Sequence, residues 1–134
     1  FAGVSECTAI GDYAFSQTFK GTGINAIVIP ASVKTIGANA FEYTDTLSSV
    51  TFESGSLCET IGNNAFSASG INAIVIPASV KTIGANAFRN TASLLTVDFA
   101  LADNGTSACT LIGDNAFQES AITAITIPAS VIRI

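Results

Sequence analysis

The chain has 134 residues, about one domain's worth, with 49% apolar residues, 11% charged residues and a net charge of −5 at pH 7, a balance that excludes disorder driven by low hydrophobicity and high charge. The longest apolar runs stop at four residues, as in Ala26-Ile27-Val28-Ile29, which excludes a membrane-spanning helix and predicts no membrane insertion by this segment. The basic residues Lys20, Lys34, Lys81, Arg89 and Arg133 are scattered and histidine is absent, so the basic stripe of a nucleic-acid binder and the usual groups for acid–base or metal chemistry are both missing.

One frame recurs along the chain. Cys7 stands three residues before Ile10-Gly11, which opens the first of five IGxxAF blocks, beginning at Ile10, Ile36, Ile61, Ile83 and Ile112. After Phe15 comes an insertion (SQTFKGTG), and then Ile24 to Ile29, where alternating β-branched residues predict a strand with one face turned inward. Pro30 ends that strand where a lost N–H costs little, and Pro77 and Pro128 do the same two and four units later. Val33 and Ile36 form a second inward pair, Gly37 permits a sharp turn, and Ala40-Phe41 predict a one-turn helix that plugs the core. The residue after that glycine is Asp12, Asn63 or Asp114 in three units, which reads as a helix N-cap.

Weaker copies begin at Leu47 (LSSVTF) and Leu94 (LLTVDF), whereas Gly70 to Phe88 repeats the 19 residues from Gly23 to Phe41 without change. A second insertion lengthens the interval from Phe99 to Cys109 by four residues relative to Phe52 to Cys58, and a third copy of the long repeat opens at Ala121. Repeat starts at 24, 47, 71, 94 and 122 give spacings of 23, 24, 23 and 28 residues. A unit this short cannot bury its own apolar edge, so residues 1–134 are predicted to form a single solenoid array of about five to six stacked repeats. The two insertions are expected in surface loops and are the most individual parts of the chain.

Ile24, Ile27, Ile29, Pro30, Ser32, Val33, Ile36, Gly37, Ala40 and Phe41, recurring through the chain, carry a resemblance to the leucine-rich-repeat family, and specifically to its BspA-like (Treponema-type) branch. Ser32, Ser79 and Ser130 stand where the asparagine ladder of the generic motif would run, which favours that branch. The resemblance implies a parallel β-sheet on one face of the solenoid, with short strands, turns and one-turn helices on the other. It also implies a secreted or surface-exposed protein, by analogy with members that act as adhesins for host matrix glycoproteins.

Cys7, Cys58 and Cys109 occupy the column that Val33, Val80 and Val131 fill in alternate units, so they read as buried structural thiols. Two repeats separate them by roughly 10 Å, beyond the reach of a disulfide. With no histidine and no G-x-S-x-G elbow, nucleophilic catalysis lacks a base, and the carboxylates fall mostly in different columns, so the reading is a protein without catalytic, cofactor or metal residues. Gly21-Thr22-Gly23 lacks the rest of a phosphate loop, and Asp103-Asn104-Gly105 reads as a tight turn rather than a calcium loop. That turn holds the one N-glycosylation sequon, Asn104-Gly105-Thr106, and Asn104 is expected to carry a glycan in a eukaryotic secretory pathway.

Binding by repeat proteins usually runs along their extended repeated surface. Its outward positions are predicted as Val28, Thr51, Val75, Asp98 and Thr126, flanked by Ala26, Ser49, Ala73, Thr96 and Ala124. With no aromatic platform and no Arg or Lys cluster, this surface suits protein contact better than a glycan or a charged small ligand. Two roles follow: a non-catalytic scaffold that binds extracellular matrix or host-surface glycoproteins, and a self-assembling component of an extracellular filament, sheath or matrix. Phe1 matches the last residue of a strand and Ile134 falls just before an expected IGxxAF block. Neither end shows a polar capping repeat, so an interior window of a longer array is expected, with a native polypeptide larger than 13.6 kDa and association through open ends.

Overall fold

In the computed structural model, residues 6–18 and 23–134 are described. Phe1, the tip of the first insertion and Gly21-Thr22 lie outside the described residues. Each coil of the chain passes through three segments, and each segment stacks on its counterpart in the next coil.

The first segment is a four-residue strand: β2 (Ala26–Ile29), β4 (Ser49–Phe52), β6 (Ala73–Ile76) and β8 (Thr96–Phe99) form a parallel sheet in that order. The period-two pattern decides which face is buried, with Ile74 and Ile76 inside while Ala73 and Val75 face out. The second segment is a two-residue strand built on Thr-Ile or its equivalent: β1 (Ala9–Ile10), β3 (Thr35–Ile36), β5 (Thr60–Ile61), β7 (Thr82–Ile83) and β9 (Leu111–Ile112), also all parallel. Between the two sheets lies one continuous core, in which Val33, Ile36, Phe41, Ile61, Phe66, Ile83 and Phe88 are completely buried.

The third segment corrects the expected one-turn helices. No helix occurs among the described residues; the IGxxAF blocks instead run through consecutive turns. Tyr13, Asn39, Asn64, Asn86 and Asn115 adopt φ of 55–58°, and Gln17, Tyr43, Ala68, Asn90 and Glu119, four residues later, adopt φ of 53–58°. Asparagine tolerates this left-handed region better than most residues, which accounts for its place in IGxNAF. A left-handed residue every fourth position stops a helix from propagating and turns alternate N–H groups toward the next coil. The Asn39, Phe41 and Tyr43 N–H groups thus donate to the carbonyls of Asn63, Ala65 and Ser67 at 2.9, 2.7 and 3.0 Å. Asn64, Phe66 and Ala68 repeat the pattern onto Ala85, Ala87 and Arg89. The phenylalanines follow this ladder as a stack of near-parallel rings, Phe15–Phe41–Phe66–Phe88–Phe117, with centroids 5.1–5.4 Å apart.

With no helix to cap, the N-cap role expected of Asp12 and Asn63 is replaced by a tie between coils. Asp12 Oδ1 accepts the Ala38 N–H at 2.8 Å, and Asn63 Oδ1 accepts the Ala85 N–H at 2.9 Å. The adjoining glycine is required by closeness: a Cβ on Gly84 would lie 2.6 Å from the Asn63 nitrogen and 2.7 Å from the Gly62 carbonyl carbon.

Candidate interaction face

The four-stranded sheet presents its outward residues to solvent in register. Val28 pairs with Thr51 across β2 and β4, and Val75 with Asp98 across β6 and β8. All four are exposed, Val28 by 61% and Val75 by 54%. Thr51, Val75 and Asp98 line one groove of about 640 Å³ that runs over β4, β6 and β8. Val28 lies on β2, beside the groove. Thr126 is exposed but off the sheet, because residues 124–127 form no strand, which corrects the five-strand face expected from the sequence.

The groove has a hydroxyl- and amide-rich rim, Ser49, Ser54, Ser56, Asn72, Ser79 and Thr96, over an apolar floor, and its two charges, Glu53 and Asp98, are both negative. Glu53 is partly committed, since its Oε2 accepts the Ala31 N–H of the preceding coil at 2.8 Å. Sequence reasoning missed the rim from Glu53 to Ser56. Its signal is the interval from strand end to the inward Val/Cys column, six residues from Phe52 to Cys58 against four from Ile29 to Val33.

Of the three cysteines, Cys58 and Cys109 are fully buried and Cys7 is exposed. The exposure of Cys7 corrects the expectation of three buried thiols: its column is covered from both sides only where a coil packs on each side, and among the described residues none lies on its far side. Each thiol donates to a carbonyl two residues on, at 3.4 Å for Cys7 (to Ala9), 3.7 Å for Cys58 (to Thr60) and 3.8 Å for Cys109 (to Leu111). All three are unpaired. Burial pushes the Cys58 thiol up to about 11, with the Glu59 carboxylate acting in the same direction, and burial raises that of Cys109. These are inert packing groups at neutral pH. The serines of the alternate coils tie onto them: Ser32 and Ser79 hydroxyls donate to the Cys7 and Cys58 carbonyls at 2.7 and 2.6 Å.

Asn104 sits exposed at the tip of the second insertion. Its Oδ1 accepts both the Thr106 hydroxyl at 2.6 Å and the Thr106 N–H at 3.1 Å, while Gly105 takes φ of 78°. Among the described residues no cluster of three or more His, Cys, Asp or Glu side chains is placed to hold a metal ion, and no helix is long and apolar enough to cross a membrane.

Repeated parallel ladders, a phenylalanine column and a frame of 23 or 24 residues are the marks of one repeat class, and the matching family is described as BspA type Leucine rich repeat region (6 copies), over residues 8–134. The chain belongs to this family. No curated protein matches it. Among solved structures it is similar to the pneumococcal vaccine antigen PcpA, at 23% identity and a TM-score of 0.72 over 92% of this chain, a likeness of fold alone. A leucine-rich repeat protein from Bacteroides ovatus is similar at 26% identity and a TM-score of 0.72, also over 92% of this chain. A leucine rich cell surface protein from Faecalibacterium prausnitzii is similar at 26% identity and a TM-score of 0.59 over 99% of this chain. The BspA-type chain spans only 36%, 36% and 40% of these proteins' lengths.

Proposed function

We propose that this leucine-rich-repeat chain is a non-catalytic scaffold of the cell surface or extracellular space, which holds protein partners, matrix or host-surface glycoproteins among them, against its four-stranded sheet. The observation that carries the reading is the groove of about 640 Å³ that gathers Thr51, Val75 and Asp98 from three neighbouring strands of one parallel sheet. Exposed Val75 supplies an apolar anchor and Asp98 a carboxylate for a cationic or donor group, within a polar rim. The surface setting is supported by the names of the similar structures, a vaccine antigen and a cell surface protein.

The test is a binding screen of the full-length protein against matrix glycoproteins, followed by Val75→Glu and Asp98→Lys variants. Each is expected to weaken a positive interaction about tenfold or more, as substitutions at the centre of an interface do. Glu119→Lys, an exposed change on the turn segment, is expected to leave binding unchanged. Ordered filaments in electron microscopy of the protein alone, with no foreign partner bound, would replace this reading with self-assembly.

A further inference from the structure

The three segments of each coil are not equally joined at every junction. Between β2 and β4 the ladder runs through four pairs, Ala26↔Ser49 to Ile29↔Phe52, and between β6 and β8 through four more, Ala73↔Thr96 to Ile76↔Phe99. Between β4 and β6 it stops after a single pair, Ser49↔Ala73. The residue that follows each strand differs in step with the ladder. Glu53 after β4 donates its N–H to the Ile29 carbonyl at 3.0 Å, and Ala100 after β8 donates to the Ile76 carbonyl at 2.9 Å. The same position after β6 is Pro77, which has no N–H to offer the Phe52 carbonyl. Pro128 stands at this position one doublet later, where residues 124–127 form no strand at all. In the alternation of a parallel ladder the Val75 N–H faces β4, across the stretch where the Val50–Ile74 and Thr51–Val75 pairs are missing from the ladder.

The other two segments hold across that junction without interruption. Thr60↔Thr82 and Ile61↔Ile83 pair, Asn64, Phe66 and Ala68 donate to the next coil at 2.8–2.9 Å, and the Phe66 and Phe88 rings stack at 5.3 Å. The side-chain ties are placed here as well: Asn63 onto the Ala85 N–H, Ser79 onto the Cys58 carbonyl, and the Lys81–Glu59 ion pair at 3.0 Å.

We infer that Pro77 makes the β4–β6 junction a hinge, about which the solenoid opens and closes on its sheet side while the two-residue ladder and the turn ladder act as the axis. The moving parts are strand doublets, β2–β4 and β6–β8, and prolines 47 and 51 residues apart, at Pro30, Pro77 and Pro128, set one hinge per two coils. The groove spans this junction, with both lips, β4 and β6, among its walls, so opening changes its width. That consequence rests on the proposed docking face; the hinge itself does not.

The experiment is residue-resolved amide hydrogen exchange of the full-length protein without any partner, so that its outcome is independent of the docking proposal. The Val75 amide is expected to exchange at least about tenfold faster than the Thr51 and Asp98 amides, which occupy the same column in laddered strands. Pro77→Ala restores the donor and is expected to slow Val75 into the range of those two. Ala100→Pro removes the donor at the laddered β6–β8 junction and is expected to speed Asp98 to the wild-type Val75 rate; should that variant fail to fold, Pro77→Ala decides. A Val75 amide as protected as that of Thr51 in the wild type would overturn the hinge. So would a Val75 amide that stays fast in Pro77→Ala, since the missing N–H would then not be its cause.

Discussion

Replacing Phe66 with alanine measures how much the phenylalanine column contributes. The Phe66 ring is completely buried and lies between Phe41 at 5.1 Å and Phe88 at 5.3 Å, with interplanar angles of 1° and 6°. Truncation of a buried phenylalanine costs about 3–5 kcal/mol through lost transfer energy and the cavity left behind. Two ring pairs disappear with it, each worth roughly 0.5–1.5 kcal/mol beyond burial, and the void cannot collapse easily because laddered backbone holds the neighbouring rings apart. Phe66→Ala is therefore expected at the top of the range, about 4–5 kcal/mol. Phe66→Leu keeps most of the apolar volume and loses chiefly the stacking, about 1–2 kcal/mol. Urea titrations followed by far-ultraviolet circular dichroism give the two values. Because repeat arrays can unfold in parts, amide exchange at Ile61 and Ile83 on either side shows whether the loss is local. A cost below about 1.5 kcal/mol for Phe66→Ala, or equal costs for Ala and Leu, would refute the column as a rigid core. A double-mutant cycle of Phe66 with Phe88 should return a coupling of about 0.5–1.5 kcal/mol.

Gly84→Ala is expected to destabilise by about 1–3 kcal/mol in the same titration, because the new Cβ meets the Asn63 and Gly62 backbone and also crowds the Asn63 Oδ1 that accepts the Ala85 N–H. In the native protein at pH 8, a maleimide should leave Cys58 and Cys109 unmodified until denaturant is added, as read by mass spectrometry. Because the Cys58 thiol is raised in the folded state from its ordinary value of 9.0 to about 11, its contribution to stability is complete below pH 9 and is lost as pH rises toward 11. Denaturation midpoints that stay flat between pH 8 and 11 in the wild type, or a fall of equal size in Cys58→Ala, would contradict this. Secreted from eukaryotic cells, the chain should gain a glycan at Asn104 that Thr106→Ala removes, since the Thr106 hydroxyl already engages the Asn104 amide oxygen. An unmodified peptide spanning Asn104 from such material would exclude the site.

The repeat frame was open to reading in the sequence because a solenoid converts sequence period directly into spatial contact. Residues one period apart stack, so Phe41, Phe66 and Phe88 announce a column, Ile36, Ile61 and Ile83 a ladder, and Val28, Thr51, Val75 and Asp98 an outward row, before any coordinates are known. The family followed from the same residues. What the period cannot carry is the conformation of a segment whose partners lie in the next coil. Asn-Ala-Phe after glycine has the look of a helix start, yet its N–H groups bond forward to the next coil and its asparagine goes left-handed. Asp12 and Asn63 look like caps for the same reason, and act instead across the junction. The exposure of Cys7 and the departure of Thr126 from the sheet likewise depend on which neighbours are laddered. Pro77 marks the end of a strand in the sequence; only the stacked structure reveals that the N–H it lacks is the one the preceding strand would have used.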